Sequence, residues 1–361
     1  MKTLKITLSM VVSVATFLLS NQAQAQYNYS TIDVPSATGT YASGISGNNI
    51  VGFYQSSSGT GGWLGSGIYQ GGTGTSGFLY NGSSYTTLND PLAVNGTLAY
   101  GTDGNSVVGY YNGNQALTHG FLYNISTASY TTLNDPLGVW ATVATGISGN
   151  NIVGGYYGIS GQQGFLYNGS SYITLEGSAN GINGNNVVGN TQAPIGFNGN
   201  EVQVGFLYSI SAASYATLND PLAAYGTYAN GISGNNVVGY FQDSSGAYHG
   251  FLYDISAATY TTLDDPLGVN GTFATGINGS NIVGYYEDSS GNYHSFEATP
   301  IPEPYTLALA GLGMASLLAF RRKTRGAGTG VSNYAGLRIT PSVFSARSRM
   351  TRDTLKLSCI R

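Results

Sequence analysis

Apolar and polar positions along this chain fall into short runs that return in the same order. The string GISGNNIVG begins at Gly44, and variants of it begin at Gly101, Gly146, Gly181, Gly231 and Gly276. GFLY begins at Gly77, Gly120, Gly164, Gly205 and Gly250, with a worn copy at Ser295-Phe296-Glu297. YTTLNDPL, or a close variant, starts at Tyr85, Tyr130, Tyr215 and Tyr260; it is cut short at Tyr172 and faint at Tyr29. The copies mark six units of about 45 residues, and self-similarity at such a period signals a repeat architecture.

Each unit parses into four short strands. Ala-Thr-Gly-Ile-Ser leads into Gly-Asn-Asn, residues that tolerate the positive φ of a tight hairpin. Ile-Val-Gly-Tyr-Tyr follows, apolar without clean alternation, as a strand covered on both faces should be. Asp-Ser-Ser-Gly turns the chain into His-Gly-Phe-Leu-Tyr. The fourth strand is Tyr-Thr-Thr-Leu, ended by Asn-Asp-Pro because proline has no amide hydrogen for a ladder. Val, Ile, Tyr, Phe and Thr fill the strands, the 54 glycines of the chain serve turns and close packing, and no helix is expected between Gln26 and Thr299.

Four strands per unit, six times over, predicts an all-β six-bladed β-propeller; a β-solenoid is the alternative. The ends favour the propeller. The last unit reaches Phe296 without a fourth strand, while an orphan strand at residues 29–34 precedes the first unit. Pairing the two would close a ring and remove its exposed edges.

Charge narrows the function. No Lys or Arg lies between Lys5 and Arg321, and of the 16 Asp and Glu residues all but Glu303 and Asp353 lie within residues 33–297. The repeats are therefore strongly acidic, although the whole chain has a formal net charge of only -4. Such a body cannot clamp phosphates or neutralise a nucleic-acid backbone, so nucleic acid is excluded as a partner. Cys359 is the single cysteine, far beyond the repeats. That leaves them without a disulfide, a thiolate metal site or a cysteine nucleophile.

Both ends read as addresses. Lys2 and Lys5, an apolar stretch over residues 6–19 and Ala23-Gln24-Ala25 form a secretory signal peptide over 1–25, cleaved after Ala25. At the other end Pro302-Glu303-Pro304 precedes an uncharged stretch over 305–320 and the cluster Arg321-Arg322-Lys323. That stretch is short for a bilayer of about 30 Å, which takes about 20 helical residues, but flanking side chains can snorkel. The basic cluster would stay cytoplasmic. Motif, span and cluster in this order resemble the PEP-CTERM sorting signal of Gram-negative bacteria. The resemblance implies an exosortase partner, transient anchoring in the inner membrane and delivery to the cell surface or extracellular matrix. Residues 300–325 are then the sorting signal with its transmembrane helix. Residues 326–361 run past the point where such signals stop, an atypical basic tail expected to be disordered or removed.

Within the body, residues 26–299, the pattern GINGNNVVG…HGFLY resembles HAF-type extracellular repeats, named for a His-Ala-Phe-like core. That likeness implies a β-rich surface protein and brings no reaction with it.

Candidate chemistry is thin. His119, His249 and His294 occupy one repeat position on three separate units, which argues for structural roles over zinc or catalysis. Asp90, Asp135, Asp220 and Asp265 sit in Asn-Asp-Pro steps (Asp-Asp-Pro at the last), where such residues stop strands and cap turns. Weak Ca²⁺ sites are their other reading; no other cofactor is expected. Glu176 and Glu201 break the repeat and are the candidates for a paired-carboxylate glycosidase. Trp63 and Tyr69, in the glycine-rich insertion 56–76, are the candidate ligand contacts, because exposed rings stack on sugar faces. The chain is therefore expected to be an exported, non-catalytic repeat protein, structural or adhesive, that contacts extracellular polysaccharide. The alternative is a hydrolase or lyase acting on polysaccharide, which would need converging acids in one deep pocket.

Overall fold

The computed structural model describes residues 27–56, 62–63, 69–70, 72–194 and 201–301. The signal peptide with Ala23 and Ala25, the sorting residues Pro302, Glu303, Pro304, Arg321, Arg322 and Lys323, the span and the tail lie outside the described residues.

The described residues are β throughout, apart from one 3-10 turn at Asn114–Ala116. Their strands pair as four-stranded antiparallel meanders, one per sequence unit. The first unit is Gly39–Ser46, Asn49–Gln55, Thr75–Tyr80 and Tyr85–Leu88. The second is Thr97–Thr102, Ser106–Asn112, Thr118–Asn124 and Ser129–Leu133. The third is Ala141–Ser148, Asn151–Gly158, Gly161–Tyr167 and Tyr172–Leu175. The fourth is Ser178–Asn183, Asn186–Pro194, Glu201–Ser209 and Ser214–Leu218. The fifth is Gly226–Ser233, Asn236–Gln242, Tyr248–Asp254 and Thr259–Leu263. The sixth is Gly271–Asn278, Asn281–Glu287 and Tyr293–Pro300. Its outer strand comes from the other end of the chain: Tyr27–Thr31 runs antiparallel to Tyr293–Pro300, with Tyr27 opposite Pro300.

Phenylalanine of GFLY is the keystone inside each unit. Phe78, Phe121, Phe165, Phe206, Phe251 and Phe296 are buried. Each ring lies over the glycine of the second strand. A Cβ built on Gly52 would stand 2.1 Å from the Tyr41 carbonyl and 2.8 Å from the Phe78 ring. The two outer strands are tied by tyrosine pairs such as Tyr80 and Tyr85, centroids 4.6 Å apart. The Tyr85 hydroxyl then donates to the Ile32 carbonyl at 2.8 Å, next to the strand that completes the sixth unit.

The units meet through their first strands. Every first strand slips register at the same place, between Ala42 and Gly44 and at the five equivalent positions. The extra residue of such a bulge is freed from its own ladder and re-aimed. Here it reaches the neighbour. Thr145 Oγ1 donates to the Ala179 carbonyl at 2.8 Å, Asn180 Nδ2 to Ala229 at 2.9 Å and Asn230 Nδ2 to Ala274 at 3.0 Å. Thr275 Oγ1 donates to Ala42 at 2.8 Å, joining the last unit to the first. The glycine after the bulge lets the backbones touch: a Cβ on Gly44 would lie 2.6 Å from the Tyr100 carbonyl, and one on Gly276 3.0 Å from the Gly44 Cα. The architecture is propeller-like, with first strands inside and Tyr-Thr-Thr-Leu strands outside.

The hairpin turns add a second layer of links. Gly47 N–H donates to Asn278 Oδ1 at 3.1 Å, Gly184 N–H to Ser148 Oγ at 3.2 Å, Gly234 N–H to Asn183 Oδ1 at 3.1 Å and Gly279 N–H to Ser233 Oγ at 3.0 Å.

Two glycine substitutions test this account. Gly181→Ala sets a methyl 2.6 Å from the Asn230 carbonyl and is expected to cost about 1–3 kcal/mol as overpacking. Gly155→Ala meets only the Gln163 carbonyl at 3.5 Å and should stay within about 0.5 kcal/mol. Urea unfolding midpoints measure both; equal effects would contradict the close approach of the first strands.

Candidate functional site

The first strands surround a cavity of about 1120 Å³. At the hairpin end it is lined by Ile45, Ile147, Ile182, Ile232 and Ile277 beside the bulge glycines. The other end is lined by members of two columns that the repeat does not hold constant, Tyr110, Thr75 and Thr118 excepted. The residue after the second-strand glycine is Phe53, Tyr110, Gly155, Asn190, Tyr240 and Tyr285 in turn. Two places before the third-strand Gly-Phe, or its Ser-Phe equivalent, stand Thr75, Thr118, Gln162, Gln203, Tyr248 and Tyr293. The cavity is therefore two-sided. Units five, six and one give an aromatic wall of Tyr240, Tyr248, Phe273, Tyr285, Tyr293 and Phe53; units three and four give a wall of amides.

The aromatic wall is packed and electrically silent. Tyr228 stacks on Tyr240 at 4.5 Å and Phe273 on Tyr285 at 4.9 Å. Burial lifts the Tyr240 and Tyr285 phenols well above their ordinary range. The Tyr293 phenol is pushed up to about 12, by burial first and the Glu287 carboxylate second. All three stay neutral near pH 7. On the opposite wall Asn180 Nδ2 donates to Asn190 Oδ1 at 2.7 Å, and Asn190 Nδ2 to Gln203 Oε1 at 2.9 Å. Gln162 Nε2 donates to Ser178 Oγ at 2.7 Å. Among the described residues, no Asp, Glu, His, Lys or Arg lines the cavity.

At its rim Trp140 lies against Tyr157. They are 48% and 50% exposed, their ring centroids are 5.6 Å apart, and Tyr157 lines the cavity. Trp140 N–H donates to the Tyr157 carbonyl at 3.0 Å, which holds the loop against the strand. Sequence reasoning passed over this pair. The available signal was a break in the repeat, tryptophan where other units have Asn95, Tyr225 and Asn270. The rim lies at the end where Tyr157 faces Gln162 and Glu287 faces Tyr293. The chain leaves the ring at the other end, where Pro300 pairs with Tyr27.

The expected site residues are distributed as follows. Trp63 and Tyr69 face one another in a two-stranded hairpin, Gly62–Trp63 with Tyr69–Gln70, and their side chains lie outside the described residues. The histidines stay apart, each bonded to the residue that ends an outer strand. His119 Nδ1 is 3.0 Å from Asn134 Oδ1, His249 Nδ1 3.1 Å from Asp264 Oδ1 and His294 Nδ1 2.6 Å from Asp33 Oδ2. Each ring also lies against its neighbour on the second strand, His119 on Tyr111 with centroids 5.2 Å apart. For His294, burial pulls the pKa down, but Asp33 and Asp288 together outweigh it and leave the group raised.

Asp90, Asp135, Asp220 and Asp265 are buried in strand-ending turns. Asp135 Oδ1 accepts the Leu137 N–H at 2.8 Å while its own N–H donates to Thr142 Oγ1 at 3.0 Å; the other three repeat this. Burial pushes each carboxyl above the usual carboxylate range, against the pull of the leucine N–H. Among the described residues, no group of three or more His, Cys, Asp or Glu is placed to hold a metal ion. Glu176 is exposed, with its N–H donated to the Tyr215 hydroxyl at 3.0 Å; the Glu201 side chain lies outside the described residues.

Comparison with known proteins adds the address. Residues 300–323 match the PEP-CTERM protein-sorting motif. The motif marks an exported, surface-sorted protein with a C-terminal membrane-anchored sorting signal, and it is a substrate signal for exosortase. No curated protein matches the chain. Among solved structures it is similar to the β-propeller domain of the Trilobed protease from Pyrococcus furiosus, at 13% identity and a TM-score of 0.43, over 74% of this chain and 84% of that one. It is also similar to TolB from Acinetobacter baumannii, at 11% identity and a TM-score of 0.44, over 70% of this chain and 64% of that one.

The buried aspartates generate a pH dependence. Their folded pKa values lie above 3.8, so the native state binds more protons than the unfolded chain just above that pH. Their contribution is complete below 3.8 and is lost as pH rises through the folded values. His294 has the same sign, its contribution present below 6.5 and lost as pH rises through its raised value. Asp288, held at about 2 by the Asn292 N–H, runs the other way, as do Asp243 and Asp254, lowered by the Ser245 and Ser256 hydroxyls: their contributions are present above 3.8 and are lost as pH falls below it. The thermal midpoint should therefore be higher at about pH 4 than at about pH 8. Asp135→Asn keeps the acceptor for Leu137, so it should remove part of the difference, while added Ca²⁺ or EDTA should change nothing. A midpoint that falls on acidification to pH 4, or rises with Ca²⁺, would contradict the turn role.

Proposed function

We propose that the protein is a non-catalytic, six-bladed β-propeller with HAF-type surface repeats, its N-terminal strand completing the last blade. It works at the cell envelope or in the exopolysaccharide matrix, as a structural or adhesive component that binds glycan. The reading includes an N-terminal signal peptide, an inner-membrane stage before exosortase processing, and final placement on the surface or in the matrix. Its support at the site is the central cavity, about 1120 Å³ bounded by aromatic rings and amides, with no charged side chain among the described residues.

That lining supports the binding reading over the catalytic one. A hydrolase working through paired carboxylates needs two acids a few ångströms apart at the scissile bond. The channel supplies none among the described residues, and Glu176 lies outside it. Side chains that are large, rigid and uncharged, with a few polar groups between them, are instead the usual furniture of a binding site. No cofactor is needed for such a role.

The test uses purified full-length protein and exopolysaccharide extracted from its own host. Co-sedimentation with the polymer, and an unchanged polymer size distribution after long incubation, is the expected result. Shortening of the polymer would make the protein an enzyme; failure to sediment with it would remove the matrix role.

A further inference from the structure

We infer that the rim and amide wall of the cavity bind a neutral polysaccharide chain, with Trp140 and Tyr157 as its stacking platform and Gln162 and Gln203 reading its hydroxyls. This rests on the glycan-binding role proposed above and assigns it a ligand class and a place.

A pyranose ring presents an apolar C–H face and a belt of hydroxyls that both donate and accept. The rim offers a partner for the first feature. Trp140 and Tyr157 are about half exposed and already in mutual contact. Little side-chain order remains to be gained on binding, which favours aromatic platforms over flexible side chains. No other unit has a tryptophan at this position.

The amide wall offers a partner for the second feature. The donor chain from Asn180 through Asn190 ends on Gln203 Oε1, which leaves the Gln203 amide nitrogen to donate onward. Gln162 spends its nitrogen on Ser178 Oγ, which leaves its carbonyl oxygen to accept. One terminal donor and one terminal acceptor in a single cavity suit hydroxyl groups. The third unit also clears the way: Gly155 stands where four other units have Phe53, Tyr110, Tyr240 and Tyr285. It opens the aromatic collar beside Tyr157.

Charge settles which glycan. Among the described residues the cavity lining has no cation to pair with a uronate or sulfate, and the repeats contain no Lys or Arg. An acidic polymer would meet only the negative field of the body. Volume sets the length: about 1120 Å³ exceeds what a single small ligand needs, so several sugar residues fit. The site opens at the end of the ring opposite the pairing of Pro300 with Tyr27.

The experiment measures affinity of the full-length protein for its host's neutral exopolysaccharide fraction by co-sedimentation. Calorimetry with cellohexaose, maltohexaose and mannohexaose is set against hexagalacturonate. Trp140→Ala and Gln203→Ala should each weaken binding about tenfold, the scale of losing one anchor. Thr131→Ala, exposed on an outer strand, should bind as the parent does, with all thermal midpoints matched. Undiminished binding by Trp140→Ala and Gln203→Ala would place the glycan elsewhere and overturn this inference while leaving the glycan-binding reading intact. Preference for the acidic probe, or loss of binding in Thr131→Ala alone, would overturn it equally. No binding of the wild-type protein to any host polymer would sink both.

Discussion

The close approach of the first strands is the constraint on which the rest of the molecule hangs. Gly44, Gly101, Gly181 and their equivalents carry no side chain, and a single Cβ at these positions would press into a neighbouring carbonyl. With the backbones in contact, the bulge residue just before each glycine can span the seam; four of them do so through side-chain hydrogen bonds. A wider ring would break those bonds, and a narrower one would overlap the backbones. The inner strands therefore have one workable spacing, and the outer strands follow from it through the Gly–Phe stacking within each unit.

A fixed centre frees other positions. The seam between units is made by the bulge and not by the residue after the second-strand glycine, so that residue varies from phenylalanine through tyrosine and asparagine to glycine. Where the repeat keeps aromatics, the wall is stacked and apolar. Where it loses them, at Gly155 and Asn190, amides and open space take over. The functional asymmetry of the cavity is thus written on a scaffold whose own symmetry is enforced by packing.

Much of this is legible in the sequence. The four strands of a unit, the glycine-led hairpins and the aspartate-capped turns rest on local backbone chemistry, which the repeated strings display six times over. The pairing of the N-terminal strand with the last unit was legible because each end lacked what the other had. The bulge was not. An extra residue in a period-2 strand leaves no mark in an apolar pattern, so Ser43, Thr145 and Asn180 read as ordinary strand positions. The cavity was hidden for a different reason. Gly155 and Tyr285 are far apart in sequence and belong to the same repeat column; only wrapping the chain sets their walls across one space. Trp63 drew attention because it sits in an insertion, whereas Trp140 lies in a loop of the same length as its equivalents at Asn95, Tyr225 and Asn270. The histidines were read as structural, and the bonds of His119 to Asn134 and His294 to Asp33 give that reading its geometry.

Native-state amide hydrogen exchange tests the closed ring most directly. A ring joined through every first strand, with Tyr27–Thr31 paired to Tyr293–Pro300, has no terminal repeat from which to fray. Its six first strands and its N-terminal strand should open together, with one common free energy close to that of global unfolding. A gradient of protection from one end of the repeat array to the other, with Tyr27–Thr31 exchanging freely, is the behaviour of an open solenoid and would contradict the account.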